Sequence, residues 1–471
     1  MSDGLLRLQE ALGPIRAAFA DADDLWLVGG AVRDVLLGRP LSDWDLVTTG
    51  DAERTARAYA AAISAPVFPL SERHGAWRIV GDDYEVDVTA APQGIATDLA
   101  RRDLTINAIA VRVADGTLEA VPGALADVAS GVLRAVSDQS FLDDPLRLLR
   151  LVRLAAELDL EIAPDTFLQA RRDAGHAADP AGERQQAELE RILLARDPID
   201  GLRHLEDLGL LAVVLPEVAA LRGVTQNRYH HFDALDHTLQ VLDAAVDLSE
   251  HPEFAFGAAA GVVATALAEP IDADTDVALA VRWGALLHDI AKPQTRSVRD
   301  DGHVCFPGHA VEGAATAAVI LARLRCSSAL QRCVATLVRE HLRIGFLVPS
   351  GDLDAREVHR YRVATEPWGI ASVVVSLADR WSTRGTQARQ RWIRRHEQLA
   401  AAMITALGQP VAAALVRGDV LAEAIDCPLG PEVGVLLARI SEEQAAGVIG
   451  TEQEAIAFAR THRGAGHDDS R

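Results

Sequence analysis

Over the first 140 residues, short apolar runs alternate with turn formers, whereas beyond Asp143 Leu and Ala recur at helical spacing and strand signals nearly vanish. The opening Met1 to Asp24 carries a helical pattern. Leu25 to Val28 is continuously apolar and stops at Gly29-Gly30, the signature of a buried strand ended by a glycine turn. Ala31 to Leu37 has the period of a short amphipathic helix closed by Gly38. DWDLVTTG, from Asp43, predicts a second strand. AWRIVG (Ala76 to Gly81) and YEVDVTA (Tyr84 to Ala90) set β-branched and aromatic residues between turn formers and predict a hairpin in the same sheet. The fold class expected is α+β, a mixed-sheet N-terminal head followed by an all-helical remainder.

Breaks within the helical part fall near Pro216 and the polar run Gly223 to Arg228, and again between Trp381 and Thr386. They divide the chain into a head (1–140), a helical neck and body (141–226), a helical domain (227–383) and a helical tail (384–471). EPIDADTD, Glu269 to Asp276, is expected to be a loop or an insertion, and the final GAGHDDSR to lack structure.

Composition narrows the function classes. A chain of 471 residues implies several domains, and Lys+Arg 46 against Asp+Glu 68 gives a net charge of -22, so polyanions are repelled overall. Any nucleic acid must be held by local arginine clusters. One such cluster is Arg384, Arg389, Arg391, Arg394 and Arg395, which reads equally well as a solvated helix face. The four cysteines form no CxxC pair, which excludes a disulfide framework and a cysteine zinc ribbon. The N-terminus lacks the order of a signal peptide, and the most apolar stretch, Phe254 to Ala268, is shorter than the ~20 residues of a spanning helix. A soluble, cytoplasmic protein without membrane contact is expected.

The candidate chemistry begins at Gly29-Gly30. Between a strand and a helix start, missing Cβ atoms let backbone N–H groups approach a phosphate. Asp43 and Asp45 alternate on one strand and so face one side, where a divalent cation relieves their repulsion; oxygen ligands of this kind suit Mg²⁺. Asp87, or alternatively Glu85, is a candidate third carboxylate on a neighbouring strand. RRDLTINAIA, Arg101 to Ala110, adds arginines, Asp103 and Asn107 in a mix suited to triphosphate and ribose oxygens. Asp144 and Pro145 look like the N-cap and first position of a helix on which Arg147, Arg150 and Arg153 follow at three-residue steps, each turning ~60°.

LVGGAVRDVLLG, SDWDLV, DLARRDLTINAIAV and DDPLRLLRLVRL, in this order, resemble the bacterial-type CCA-adding tRNA nucleotidyltransferase and poly(A) polymerase family, over about the first half of the chain. Leu104 and Leu154 stand where that family commonly has Phe, a difference of packing. The resemblance implies a polymerase-β-like nucleotidyltransferase head with Mg²⁺ on Asp43 and Asp45. It implies triphosphate binding by Gly29, Gly30, Arg33 and Arg102, base recognition by Asp144 and Arg147, and nucleotide or primer contacts from Arg150 and Arg153. Cytosine and adenine both place an exocyclic amine beside an unprotonated ring nitrogen, which a carboxylate and a guanidinium satisfy together. Uracil and guanine oppose both groups.

In the second half, His237, His288-Asp289, His309, His341 and Asp379 form an ordered set that successive helices can bring to one or two divalent metals. The set resembles the HD phosphohydrolase superfamily, which implies a divalent transition metal, hydrolysis of phosphate esters, and a phosphate-steadying role for Lys292; retention of the set for structure alone is the competing reading. His230, His231, His251 and His303 have no assigned role. The function expected is template-independent addition of CMP and AMP to the tRNA 3′ end from CTP and ATP. Poly(A) polymerase and CC- or A-adding activity are the alternatives within the class. An HD phosphohydrolase with a nucleotide-binding regulatory head is the alternative outside it.

Overall fold

The computed structural model describes residues 2–19, 24–40, 43–71, 75–81, 84–226, 232–349, 353–383 and 389–463. Arg384, His230, His231 and the tail from residue 464 lie outside the described residues, as does the side chain of Asp43. The chain divides into two compact units, Met1–Val214 and Leu215–Arg471, and the expected breaks after residues 140 and 383 fall inside them.

The first unit is built on a seven-stranded sheet: β1 (Leu25–Val28), β2 (Asp43–Thr48), β3 (Val67–Ser71), β4 (Ala76–Val80), β5 (Glu85–Ala90), β6 (Ile109–Arg112) and β7 (Leu118–Ala120), in the order β3-β4-β5-β2-β1-β6-β7. β4 and β5 form the expected antiparallel hairpin, and β5 then lies parallel to β2. β1 is buried along its whole length because both faces of the sheet are covered. Trp26, Val28 and Val47 pack with Ile95, Leu99, Ala108 and Ala110 on one side. After β1 comes α1 (Gly30–Leu36), and Gly38 closes it at φ 78°, as expected.

Two neck helices follow, α2 (Arg147–Leu158) and α3 (Gly182–Leu194). The expected start of α2 is corrected. Its N-cap is Leu146, not Asp144, and Pro145 precedes the helix. The opening turn instead closes through three-residue bonds, Arg147 N to Asp144 O and Leu148 N to Pro145 O. The Asp144 carboxylate bends back to accept from Leu146 N–H at 3.3 Å and from Arg184 at 3.0 Å, a local bond that competes with capping.

Among the described residues, the second unit is helical apart from the small strand pair Ser297–Val298 and Val304–Cys305. Its centre is α4 (Ala234–Glu250), α5 (Val277–Leu287), α6 (His309–Arg323), α7 (Ser328–Glu340) and α8 (Gly369–Ser382). The stretch Glu269 to Asp276 is a loop, closed by the Pro270 to Asp276 bridge and by Asp272 accepting from two backbone N–H groups. None of the described helices is long and apolar enough to cross a membrane.

Candidate active site and metal centre

In the first unit, Gly29 adopts φ 69°, and a Cβ there would stand 2.5 Å from Arg102 Nη1 and 3.6 Å from Asp45 Oδ2. Both the backbone conformation and the close approach of the arginine require glycine. Parallel pairing puts Asp45 opposite Asp87 and Asp43 opposite Glu85, so all four positions face the same side of the sheet. Asp87 is gripped by Arg78 of β4 through two bonds of 2.8 Å, and a third nitrogen of Arg78 reaches Glu85 at 2.6 Å.

A cleft of about 540 Å³ opens beside Asp45, lined by Gly30, Arg33, Arg102, Asp103, Asn107, Arg150, Arg153 and Glu188, among others. Its wall is one chain of polar bonds. Arg33 forks onto Asp34 and donates to Asn107 Oδ1 at 2.7 Å; the Asn107 amide donates to Asp103 at 3.0 Å. Asp103 pairs with Arg150 at 3.3 Å, and Glu188 of α3 takes Arg150 at 3.3 Å and Arg153 at 2.5 Å. Burial alone would raise the pKa of Asp103, but the Arg150 charge and hydrogen bonds from Asn107 and Leu104 outweigh it and hold the carboxyl below its ordinary range. Burial likewise opposes the charge on Arg150, and Asp103 and Glu188 reverse that, holding its pKa above the ordinary arginine value.

The cleft therefore joins Gly30, Arg33, Asp45, Arg102, Arg150 and Arg153, six residues expected from sequence. Asp144 and Arg147 stand apart from its lining. Asp144 is paired with Arg184, and Arg147 donates to the carbonyls of Arg101 at 2.8 Å and Ser140 at 3.1 Å, tying α2 to the preceding segment. Glu188, Arg184 and Arg78 had no assigned role in the sequence reading. Glu188 did leave a signal, because it lies on the apolar face of α3 with Leu189, Ile192 and Leu193, where a carboxylate needs a buried partner.

In the second unit the expected histidines and aspartates converge. His288 and Asp289 follow the end of α5, His309 opens α6, His341 follows α7, and His237 and Asp379 come from α4 and α8. His288, His309 and His341 each place Nδ1 at 2.7 to 2.8 Å from the carbonyl three residues earlier. A carbonyl only accepts, so Nδ1 carries a proton, and in the neutral ring Nε2 is then the nitrogen with a lone pair for a metal. His288 Nε2 is 3.0 Å and His309 Nε2 3.4 Å from Asp289, and His237 Nε2 is 3.1 Å from Asp379. Two triads share Asp289: His237, His288 and Asp289, and Asp289, His309 and His341, with ligand atoms within 4.8 Å of one another in each. Asp289 Oδ2 is shared between His288 Nε2 and the Lys292 ammonium, and the nitrogen and oxygen donors gathered around it suit a divalent cation.

The electrostatics divide the set: burial opposes the charge on His288, but Asp289 and Asp379 outweigh it and hold His288 above its ordinary range. Burial, then the nearby His288, push His341 down to about 4, and burial lowers His237, so both are neutral donors at pH 7. Asp289 is held well below the carboxylate range because the charges of His288 and Lys292 outweigh its burial. Lys292 contacts Asp289, donates to Gln226 Oε1 at 2.5 Å and lies over the Phe306 ring.

Residues 25–92 and 81–134 match the family described as Poly A polymerase head domain, 159–221 a probable RNA and SrmB-binding site of polymerase A, and 234–384 the HD domain. The chain is 34% identical to the A-adding tRNA nucleotidyltransferase of Deinococcus radiodurans, over 92% of this chain and 94% of that one. It is 33% identical to the CC-adding tRNA nucleotidyltransferase of Thermus thermophilus, over 95% of each. It is 37% identical to the Multifunctional CCA protein of Nitrosococcus oceani, over 68% of this chain and 74% of that one. In fold it is similar to a Thermotoga maritima CCA-adding enzyme complexed with tRNA, with TM-score 0.60 at 19% identity, covering 97% of this chain and 95% of that one. A CCA-adding enzyme with CTP gives TM-score 0.65 at 18% identity, covering 96% and 97%.

Proposed function

The chain belongs to the tRNA nucleotidyltransferase family, and from that premise we propose that it adds CMP and AMP to the 3′ end of tRNA without a nucleic-acid template, using CTP and ATP and releasing pyrophosphate. The observation that carries the reading is the cleft in which Gly30, Arg33 and Arg102 stand beside Asp45 while Arg150 and Arg153 enter from α2.

Mg²⁺ held by Asp43 and Asp45 would neutralise the triphosphate and favour the ionised attacking oxygen. The Gly30 backbone, Arg33 and Arg102 hold the phosphates. The tRNA 3′-oxygen bonds to the α-phosphorus as the bond from that phosphorus to the bridging oxygen of pyrophosphate breaks. Asp87 takes the proton of the 3′-hydroxyl. Asp144 and Arg147 read the base edge, exchanging their present partners, Arg184 and the Arg101 and Ser140 carbonyls, for the nucleotide.

Supplying tRNAs that end before the first C, the second C and the A, each with CTP, ATP, UTP or GTP, and sequencing the products tests this reading. Ordered addition of C, C and A supports it. Addition at one stage only identifies a CC- or A-adding enzyme, an alternative that the A-adding and CC-adding relatives support. Long A tracts on varied RNA would overturn it.

The second unit is read as a metal-dependent phosphohydrolase centre, with His237, His288, Asp289, His309, His341 and Asp379 as ligands for one or two divalent transition metals and Lys292 beside the substrate phosphate. The shared carboxylate of Asp289 supports this. Hydrolysis of phosphomonoesters or cyclic phosphodiesters with Mg²⁺, Mn²⁺, Ni²⁺ or Co²⁺ tests it, and absence of turnover with all four would leave a structural centre. We infer a cytoplasmic location, where free thiols such as its four cysteines persist.

A further inference from the structure

Across the sheet, Asp45 on β2, Asp87 on β5 and Arg78 on β4 occupy one level: Asp45 is the register partner of Asp87, and Asp87 that of Arg78. Two residues earlier on each strand, Asp43 is the register partner of Glu85. Four carboxylate positions thus form a square on one sheet face, with neighbouring strands ~4.8 Å apart. A cation bound by the β2 pair leaves the β5 pair uncompensated. Arg78 supplies that compensation with three different nitrogens: Nε to Asp87 Oδ1 at 2.8 Å, Nη2 to Asp87 Oδ2 at 2.8 Å, and Nη1 to Glu85 Oε2 at 2.6 Å.

The two contacts differ in what they fix. A fork onto both oxygens of one carboxylate sets its plane and its rotamer, whereas a single bond to Glu85 restrains one oxygen only. Glu85 is also the more exposed of the pair, at 42% against 24% for Asp87. Each oxygen of Asp87 keeps one lone-pair site after the fork is made.

We propose that Arg78 is a positioning residue for nucleotidyl transfer, which locks Asp87 opposite Asp45 as the carboxylate that takes the proton of the attacking 3′-hydroxyl and keeps it from collapsing onto the cation held by the β2 pair. The inference rests on the reading of Asp87 as the third carboxylate. It also decides between Asp87 and Glu85, since the fork grips Asp87. The group acts through Asp87, so its loss slows the chemical step and leaves nucleotide and tRNA binding in place.

The test compares wild type with Arg78→Ala, Arg78→Lys, Asp87→Asn and the Arg78→Ala, Asp87→Asn double variant in CMP addition to a tRNA lacking CCA, with thermal melting of each protein and calorimetric Mn²⁺ binding in the absence of nucleotide. Arg78→Ala is expected to lower kcat by ~10- to 100-fold, the scale of a small misplacement of a reacting group, with the KM for CTP and for tRNA within ~3-fold of wild type. Arg78→Lys recovers part of the loss, because it keeps the charge and loses the fork. The double variant is no slower than Asp87→Asn, as two residues acting through one group require. Mn²⁺ binding tightens in Arg78→Ala as the released carboxylates become available to the cation.

An unchanged kcat in Arg78→Ala alongside a slow Asp87→Asn overturns the inference alone. A wild-type kcat in Asp87→Asn overturns the reading of Asp87 and the inference with it. Losses that multiply in the double variant, or a rise in KM with kcat preserved, show a separate role for Arg78 and also overturn it. Should Arg78→Ala fail to fold, Arg78→Lys and Arg78→Gln carry the same comparison.

Discussion

Arg33 and Asn107 stand on different elements of the head and share a hydrogen bond of 2.7 Å, from guanidinium Nη1 to amide Oδ1. The same Asn107 donates its amide to Asp103, which takes Arg150 of α2. The phosphate end of the cleft and the neck helix are thereby connected through two buried side chains.

Asp103 makes this connection sensitive to pH. Its pKa is lowered in the folded protein, so its contribution to stability is present above the unfolded value, about 3.9, and is lost as pH falls through the folded value. Asp103→Asn leaves the buried face of Arg150 short of a counter-charge and is expected to cost ~3 kcal/mol at pH 7. Denaturant unfolding of both proteins at a series of pH values should show the gap between them narrowing below about pH 4. A gap independent of pH would mean that Asp103 acts through hydrogen bonds alone.

Glu188 of the cleft wall serves Arg150 and Arg153 together. Glu188→Ala strands a buried guanidinium and is expected to destabilise by ~3–5 kcal/mol, more than any exposed ion pair of this unit. Comparison with Arg191→Ala, an exposed partner of Glu157, supplies the reference, with denaturant midpoints as the measurement. Equal losses would remove the case for Glu188 as the anchor.

Asp43→Ala and Asp45→Ala are expected to abolish nucleotide addition, by several orders of magnitude, because metal activation and positioning go together. The positions lie at the start of β2, away from its apolar pairing, so the melting temperature should change little. Near-normal incorporation by either folded variant would remove the assignment of the metal to this strand.

Asp144→Ala and Arg147→Ala are expected to relax base choice more than they weaken triphosphate binding, since Arg33 and Arg102 occupy the cleft and the Asp144–Arg147 pair lies outside its lining. The ratio of UMP to CMP incorporated, set against the KM for CTP, is the measurement. Selectivity that survives while thermal stability falls would assign Asp144 to the turn before α2 and to its pair with Arg184.

His288→Ala combined with Asp289→Ala removes a member of both histidine triads at once. The double variant is expected to lose bound Ni²⁺ or Mn²⁺, measured by elemental analysis after dialysis, and any phosphatase activity, while CMP addition continues. Loss of CMP addition in a folded double variant would show that the two centres depend on each other.

Much of this protein was readable from its sequence because the informative features are local. An apolar run ended by Gly29-Gly30, carboxylates two apart at Asp43 and Asp45, and a change from short strands to helical spacing after residue 140 each follow from periodicity, which decides the face a side chain takes. The HD set was readable through its order, and its convergence needed only helices long enough to cross one core. Tertiary structure alone decided the partners. That Asp87 lies beside Asp45 depends on β5 inserting parallel to β2 after pairing with β4, a topology that strand patterns leave open. Asp144 reads in sequence as a helix cap, yet its carboxylate serves a turn and Arg184, forty residues away. Glu188, thirty-eight residues from Arg150 and thirty-five from Arg153, and Arg78, nine from Asp87, became visible only when the chain closed around them. The physical reason is common to all three: a charge removed from water must be met by another, and the identity of that other is set by which segments pack together, while periodicity specifies only the side from which it comes.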